Sequence, residues 1–261
     1  MECGNSKHIV LKSFIKEFEM FNLTGKKALV TGSTQGIGYA IAKILHEYGA
    51  SVCVHCSKDE NTAKRVAKEL ETELWVTGDL AESDCVKKIH EKTGDLDIVV
   101  ANASVQIRKA WNEISSEEFD RQINVNLRST LELMQSYIPA MQAKKWGRFL
   151  AVGSVQQYRP HMHMAVYAAS KCAIQSLVHN VAKQVACDGV TVNNLVPGVI
   201  ITPRNDEAFA DKDYALKVLS GIPLGFAGQP HDCAGAALLL CSDAGRYITG
   251  SELTVDGGMK L

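Results

Sequence analysis

Ala28-Leu29-Val30-Thr31-Gly32-Ser33-Thr34-Gln35-Gly36-Ile37-Gly38 decides the fold. Three apolar residues read as a strand, and Ile37 to about Tyr48 reads as a helix that stops at Gly49. Between them lies a glycine turn spaced G-x-x-x-G-x-G. Glycines let backbone come close to a pyrophosphate, and the helix N-terminus offers it free amides and the positive end of a dipole. The expected contacts are Gly32, Ser33, Thr34, Gln35, Gly36, Ile37 and Gly38.

The same alternation continues outward from this turn. Ser51 to Cys56, Leu74 to Thr77, Asp97 to Ala101, Arg148 to Val152, Val190 to Leu195 and Glu252 to Val255 read as further strands. Helical patterns run from Asn61 to Glu71, Ser83 to about Lys92, Ser116 to Ser136, Tyr167 to about Ala186 and Asp232 to Ser242. Strands separated by single helices imply a parallel sheet covered on both faces. Ile98-Val99-Val100 is apolar throughout, as a strand buried on both faces should be. Right-handed crossovers then give one α/β domain with a doubly wound sheet of about seven strands.

This domain spans 22–261. Residues 1–21 form an extension in which Ile9, Val10, Leu11, Phe14, Ile15, Phe18 and Phe21 recur at roughly helical spacing. The spacing predicts a helix docked on the body or on a neighbouring subunit. The stretch 203–230 breaks the alternation, is rich in Gly, Asp and Pro, and reads as an insertion over the carboxyl edge of the sheet, where ligands bind.

Composition narrows the function. A net charge of −1 without a long basic run argues against nucleic acid as the main partner. No apolar run approaches the roughly 20 residues of a membrane span. Eight scattered cysteines are too sparse for a disulfide scaffold. Cys53 and Cys56 have C-x-x-C spacing but no second pair to complete a zinc site, so these thiols read as core residues in a reducing cytoplasm. His161 and His163 form an H-x-H pair with no third ligand in evidence, so no metal is expected.

Tyr167-Ala168-Ala169-Ser170-Lys171 carries the chemistry. A Tyr and a Lys four residues apart share one face of a helix. A neighbouring ammonium favours the phenolate, which makes Tyr167 a candidate general acid/base. Ser154 lies thirteen residues upstream and Asn126 precedes both.

Together with the glycine turn, these residues resemble the short-chain dehydrogenase/reductase family. The resemblance runs from about Asn22 to Gly258 and takes in Asp79-Leu80, Asn102-Ala103, Val125-Asn126-Leu127, Pro197-Gly198 and Asp256-Gly257-Gly258. Ser104 departs from it, standing where many members have glycine. The resemblance implies a Rossmann-like fold, a nicotinamide cofactor and hydride transfer between that cofactor and a secondary alcohol or ketone. It implies that Tyr167 exchanges the proton and that Lys171 favours the phenolate and binds the nicotinamide ribose. Ser154 then bonds the substrate oxygen, and Asn126 anchors a water in a proton relay. It places Asp79 and Leu80 near the adenine, Asn102 and Ala103 in the cofactor cleft, and Pro197, Gly198 and Thr202 toward the nicotinamide. Members commonly assemble as dimers or tetramers, so a homo-oligomer is expected.

The second strand ends in His55-Cys56-Ser57-Lys58-Asp59. An acid here would favour NAD(H) by binding the ribose hydroxyls. None occupies the first loop positions, and Ser57 and Lys58 can hold a 2′-phosphate, so NADP(H) is expected over NAD(H), with Asp59 as the argument for the alternative. Gln106, Arg108, Gln156, His161, Met162, Met164 and Asn205 are the pocket candidates, with Ser154, Gln156 and His161 against the substrate. This mixed set leans toward a sugar, polyol or keto acid derivative. Two other readings share the framework. One is a 3-oxoacyl-[acyl-carrier-protein] reductase that docks its carrier on Arg108, Lys109, Arg121 and Arg128. The other is a nucleotide-binding regulator without turnover.

Overall fold

The computed structural model describes residues 19–205 and 210–261. The helix expected across the extension falls largely on 1–18, outside the described residues. Where the described chain begins, it already packs on the body: the Ala244 amide donates to the Met20 carbonyl, and Phe21 meets Tyr48 edge to face.

Among the described residues, seven strands form one parallel sheet. They are β1 (Lys27–Val30), β2 (Ser51–Cys56), β3 (Trp75–Thr77), β4 (Ile98–Ala101), β5 (Gly147–Val152), β6 (Val190–Pro197) and β7 (Glu252–Val255). Their order is β3-β2-β1-β4-β5-β6-β7. β1 pairs with β2 on one side and β4 on the other, so the chain reverses its winding between β1 and β4. A crevice opens there, beyond the carboxyl ends of the strands.

Helices cover both faces. They are α1 (Gly36–Glu47), α2 (Glu60–Glu69), α3 (Cys85–Thr93), α4 (Ser116–Ile123), α5 (Ser129–Ala143), α6 (Ala165–Val185), α7 (Lys212–Ser220) and α8 (Pro230–Cys241). Successive strand residues point to opposite faces, and the central strands therefore feed two cores. Leu29, Val99, Phe149 and Val192 join α3, α5 and α6 in one. Val30, Val100, Leu150 and Leu195 join α1, α2 and α8 in the other. No helix among the described residues is long and apolar enough to cross a membrane.

Two parts of the chain differ from the sequence reading. The single helix expected from Ser116 to Ser136 is interrupted by a π-turn at Asn124–Arg128 and then runs on to Ala143. Ser129 Oγ donates to the Val125 carbonyl at 2.6 Å and Thr130 Oγ1 to the Asn126 carbonyl at 2.8 Å. Hydroxyls that bond four residues back loosen a helix at that point. The insertion, for its part, contains α7, capped by Asp211, whose carboxylate accepts from the amides of Asp213 and Tyr214. A bridge between Ile200 and Gly228 closes the insertion, and Arg159 ties it down through the carbonyls of Gly221 and Met259.

Candidate active site

The glycine turn is shaped from beneath by the segment after β4. Thr31 Oγ1 accepts from the amides of Asn102 and Ala103, each at 3.0 Å. Asn102 Nδ2 returns a bond to the Thr31 carbonyl at 2.8 Å. A Cβ on Gly38 would collide with the Gly32 carbonyl and the Asn102 side chain. Gly36 has φ +56°, a conformation that glycine adopts without strain, and any Cβ there would press on Thr202. Among the described residues no side chain caps the first amides of α1, which leaves them to an anion at the positive end of the helix. A cradle built of close backbone and unpaired amides fits a dinucleotide pyrophosphate.

A cleft of about 450 Å³ runs from this turn to α6. Its lining includes Gly32, Thr34, Gln35, Gly36, Ile37 and Gly38 from the turn, and Ser57, Asp79, Leu80, Asn102 and Ala103 beyond it. Ser154, Gln156, His161, Tyr167, Lys171, Pro197, Gly198 and Thr202 complete the far end.

Three residues expected at the site stand back from the cleft. Ser33 is fully buried beneath the turn, where its Oγ accepts from the His55 amide at 3.0 Å. Lys58 reaches outward, its ammonium 3.8 Å from the Asp79 carboxylate. Asn126 is 1% exposed, and its amide is fully engaged. It accepts from Val105 N at 2.8 Å and donates to the Val105 carbonyl at 2.9 Å and to Ser170 Oγ at 3.0 Å. Met162, a pocket candidate, is turned to solvent.

Tyr167 and Lys171 lie one turn apart on α6, with the Lys171 ammonium 5.6 Å from the tyrosine ring centre. Lys171 is buried and donates to the Val152 carbonyl at 2.7 Å, which anchors it to the end of β5. Burial pushes its ammonium down to about 7, with the Arg204 guanidinium adding to the shift. Ser154 caps the short turn after β5, accepting from the Gln156 amide at 3.2 Å.

Several cleft contacts gave no local signal in the sequence. Arg121, on α4, donates to both Asp79 oxygens at 3.2 and 3.0 Å. The Asp79 carboxyl is held below its ordinary value: burial opposes ionisation, but the Ala81 amide, Arg121 and Lys58 outweigh it. Arg204 donates to the Ser104 hydroxyl at 3.0 Å and to its carbonyl at 2.8 Å, so the serine at this usual glycine position supplies a bond across the cleft mouth. Tyr214 arrives on α7, and its hydroxyl accepts from Arg108 at 3.2 Å. These partners are 42, 100 and 106 residues apart in sequence, and only the topology joins them.

A parallel sheet with its crevice at the β1/β4 switch, a glycine cradle and a Ser-Tyr-Lys group at one end define a nucleotide-dependent oxidoreductase. A family model described as enoyl-(acyl carrier protein) reductase matches residues 32–260. The 3beta-hydroxysteroid dehydrogenase 1 of Eggerthella lenta is 34% identical over 249 residues, which cover 92% of this chain and 95% of that protein. A crystal structure of 3-oxoacyl (acyl-carrier-protein) reductase from Agrobacterium tumefaciens C58 with NADP bound superposes with TM-score 0.88 at 36% identity, covering 92% of this chain and 96% of that one. A gluconate 5-dehydrogenase from Burkholderia cenocepacia in complex with NADP and tartrate superposes with TM-score 0.87 at 29% identity, covering 93% and 98%. The chain belongs to the short-chain dehydrogenase/reductase family and is an oxidoreductase acting on CH–OH or C=O groups with a nicotinamide cofactor.

Proposed function

We propose that this protein interconverts a secondary alcohol and a ketone with NADP(H), and that its substrate is a carboxylate-bearing sugar, polyol or keto acid derivative. The observation that carries the proposal is the convergence of Ser154, Tyr167 and Lys171 on one cleft with the glycine cradle at its other end. A bound nicotinamide supplies the hydride in reduction and accepts it in oxidation. Tyr167 gives its phenolic proton to the substrate oxygen in reduction and takes it back in oxidation. Lys171, held by the Val152 carbonyl, keeps its ammonium 5.6 Å from the centre of the Tyr167 ring. Ser154 donates a hydrogen bond to the same substrate oxygen and stabilises its charge. Asn126 holds Val105 and Ser170 in place, so the loop after β4 and the Tyr167 helix keep one spacing. The expected water relay is proposed to run from its neighbourhood.

The preference for NADP(H) rests on the end of β2. Ser57 borders the cleft, and Lys58 stands outside it, exposed and 3.8 Å from Asp79. Asp59, the acid that would favour NAD(H), instead caps α2 and bonds the Asn61 amide at 3.0 Å and the Thr62 hydroxyl. The structural relatives from Agrobacterium and Burkholderia carry NADP.

The substrate class rests on charge. Arg108, Arg204 and His161 line the catalytic end, while the one carboxylate among the described lining residues, Asp79, is paired with Arg121. Arg108 is steadied by the Tyr214 hydroxyl and has no acidic partner among the described ion pairs. A substrate carboxylate would supply one, in the forked geometry that guanidinium favours. The relative in complex with tartrate is of that chemistry. The carrier-protein reading needs free surface cations. Of its four candidate cations, Lys109, Arg121 and Arg128 are paired with Glu118, Asp79 and Glu132, which leaves Arg108 alone to serve it.

Arg108→Leu tests the assignment. The variant should raise KM for a keto acid roughly tenfold or more, since a charge-assisted hydrogen bond contributes about 1.5–3 kcal/mol, and should leave KM for a neutral ketone of similar size nearly unchanged. An equal effect on both substrates, or turnover confined to a 3-oxoacyl thioester, overturns the acidic-substrate reading.

A further inference from the structure

His55 is the penultimate residue of β2, 1% exposed, at the floor of the cleft. It is not part of the Ser-Tyr-Lys group, and its side chain makes two bonds. Its Nδ1 lies 3.0 Å from the Gly32 amide and its Nε2 lies 3.1 Å from the Gly78 carbonyl. An amide can only donate and a carbonyl can only accept, so Nδ1 is bare and Nε2 carries the hydrogen. One neutral tautomer satisfies both neighbours. Burial supports this, pushing the imidazole down to about 4, against the opposing pull of the Gly78 carbonyl and Asp79.

The His55 backbone makes a second pair of bonds. Its amide donates to Ser33 Oγ at 3.0 Å, and its carbonyl accepts from the Ser33 amide at 3.1 Å. The β1–β2 ladder itself ends at Val30 and Val54. His55 therefore extends the connection past the strand ends, to the glycine turn on one side and to the residue before Asp79 on the other. Gly32 and Asp79 both face the cleft, at the turn and at the segment after β3.

We propose that His55 is a positioning residue for the cofactor: by accepting from Gly32 and donating to Gly78 it fixes the glycine turn against the Asp79 segment, at the spacing in which the dinucleotide is held. The proposal rests on the NADP(H) reading above. The Gly32 bond is the critical one. Gly32 has φ +63°, and its amide has His55 as its acceptor, so without the imidazole the turn loses what sets the orientation of its first peptide. The Gly78 bond steadies the ring.

Three substitutions separate the two bonds, read by equilibrium titration of the intact protein with NADPH and by thermal melting without cofactor. His55→Asn keeps an acceptor near the Nδ1 position and loses the reach to Gly78. His55→Gln keeps a donor near Nε2 and loses the acceptor, and His55→Phe loses both while conserving ring volume. The Kd of His55→Asn should stay within about threefold of wild type. Those of His55→Gln and His55→Phe should rise about tenfold or more, the size expected when a largely buried amide loses its acceptor, with kcat at saturating cofactor falling far less than Kd rises. Equal Kd values across the series, with melting temperature alone reduced, would make His55 a brace and overturn the proposal. If His55→Phe does not fold, the order of the Asn and Gln variants decides, and Gln binding as well as Asn overturns it. Wild-type protein that binds neither NADPH nor NADH defeats the cofactor reading itself, a result distinct from a flat series.

Discussion

Lys171 is a cation in a place that disfavours cations. It is buried, and in the absence of cofactor its companions are a carbonyl at 2.7 Å and a tyrosine ring. Its folded value of about 7 lies below the ordinary 10.5, so between those limits the unfolded chain binds more protons than the folded one. Stability of the cofactor-free protein therefore rises with pH across that window, and the cost of burying the charge is full below about 7. Lys171→Met removes the cost. Melting curves of the two proteins should differ most in the variant's favour at pH 7 and below, and the difference should shrink toward pH 10. A difference that is constant or grows with pH contradicts the account. Glycine turn, Ser154, Tyr167 and Lys171 were legible in the sequence because each is tied to a short local pattern. Arg121, Arg204 and Tyr214 were not, because their partners lie far along the chain. Ser33 looked like a ligand contact and is buried under the turn, where its Oγ accepts from the His55 amide, a partner 22 residues away.

At the scale of elements, the π-turn between α4 and α5 was the least legible feature. The sequence there has continuous helical periodicity, and the interruption comes from hydroxyl bonds to carbonyls and from Asn126, whose amide leaves the helix to bind Val105 and Ser170. Asn126→Leu breaks three bonds and leaves the Val105 amide and carbonyl without those partners. It should lower stability by about 2–4 kcal/mol, the size expected for several unpaired polar groups, as measured by urea unfolding. A loss below about 0.5 kcal/mol, the range of a surface substitution, contradicts the clamp role. Strands were read closely because their apolar runs are short and sit near glycine or polar residues; β2 and β7 fall where the pattern put them. α7 escaped because its flanks are rich in Gly, Asp and Pro and its own residues are largely exposed.

At the scale of the whole molecule, the doubly wound sheet follows from alternation alone, and the switch between β1 and β4 then fixes where the cleft opens. Association is a separate matter. β7 is an edge strand of intermediate exposure, and Leu216, Leu224 and Phe226 present 65%, 63% and 57% of their surface. Among the described residues β7 has no outer neighbour, and this edge with the exposed apolar side chains is where a second copy of the chain is expected to dock. Sedimentation should give a mass that is a multiple of 28.4 kDa, and a monomer at micromolar concentration contradicts this expectation.

The most direct test of the central claim follows NADPH oxidation against keto acids and sugar ketones, with NADH for comparison, in wild type and Tyr167→Phe. The account predicts turnover by the wild type that favours NADPH, and a loss of at least about a hundredfold in the variant, the contribution of a positioned general acid/base, with NADPH binding retained. Near-normal turnover in Tyr167→Phe would contradict it.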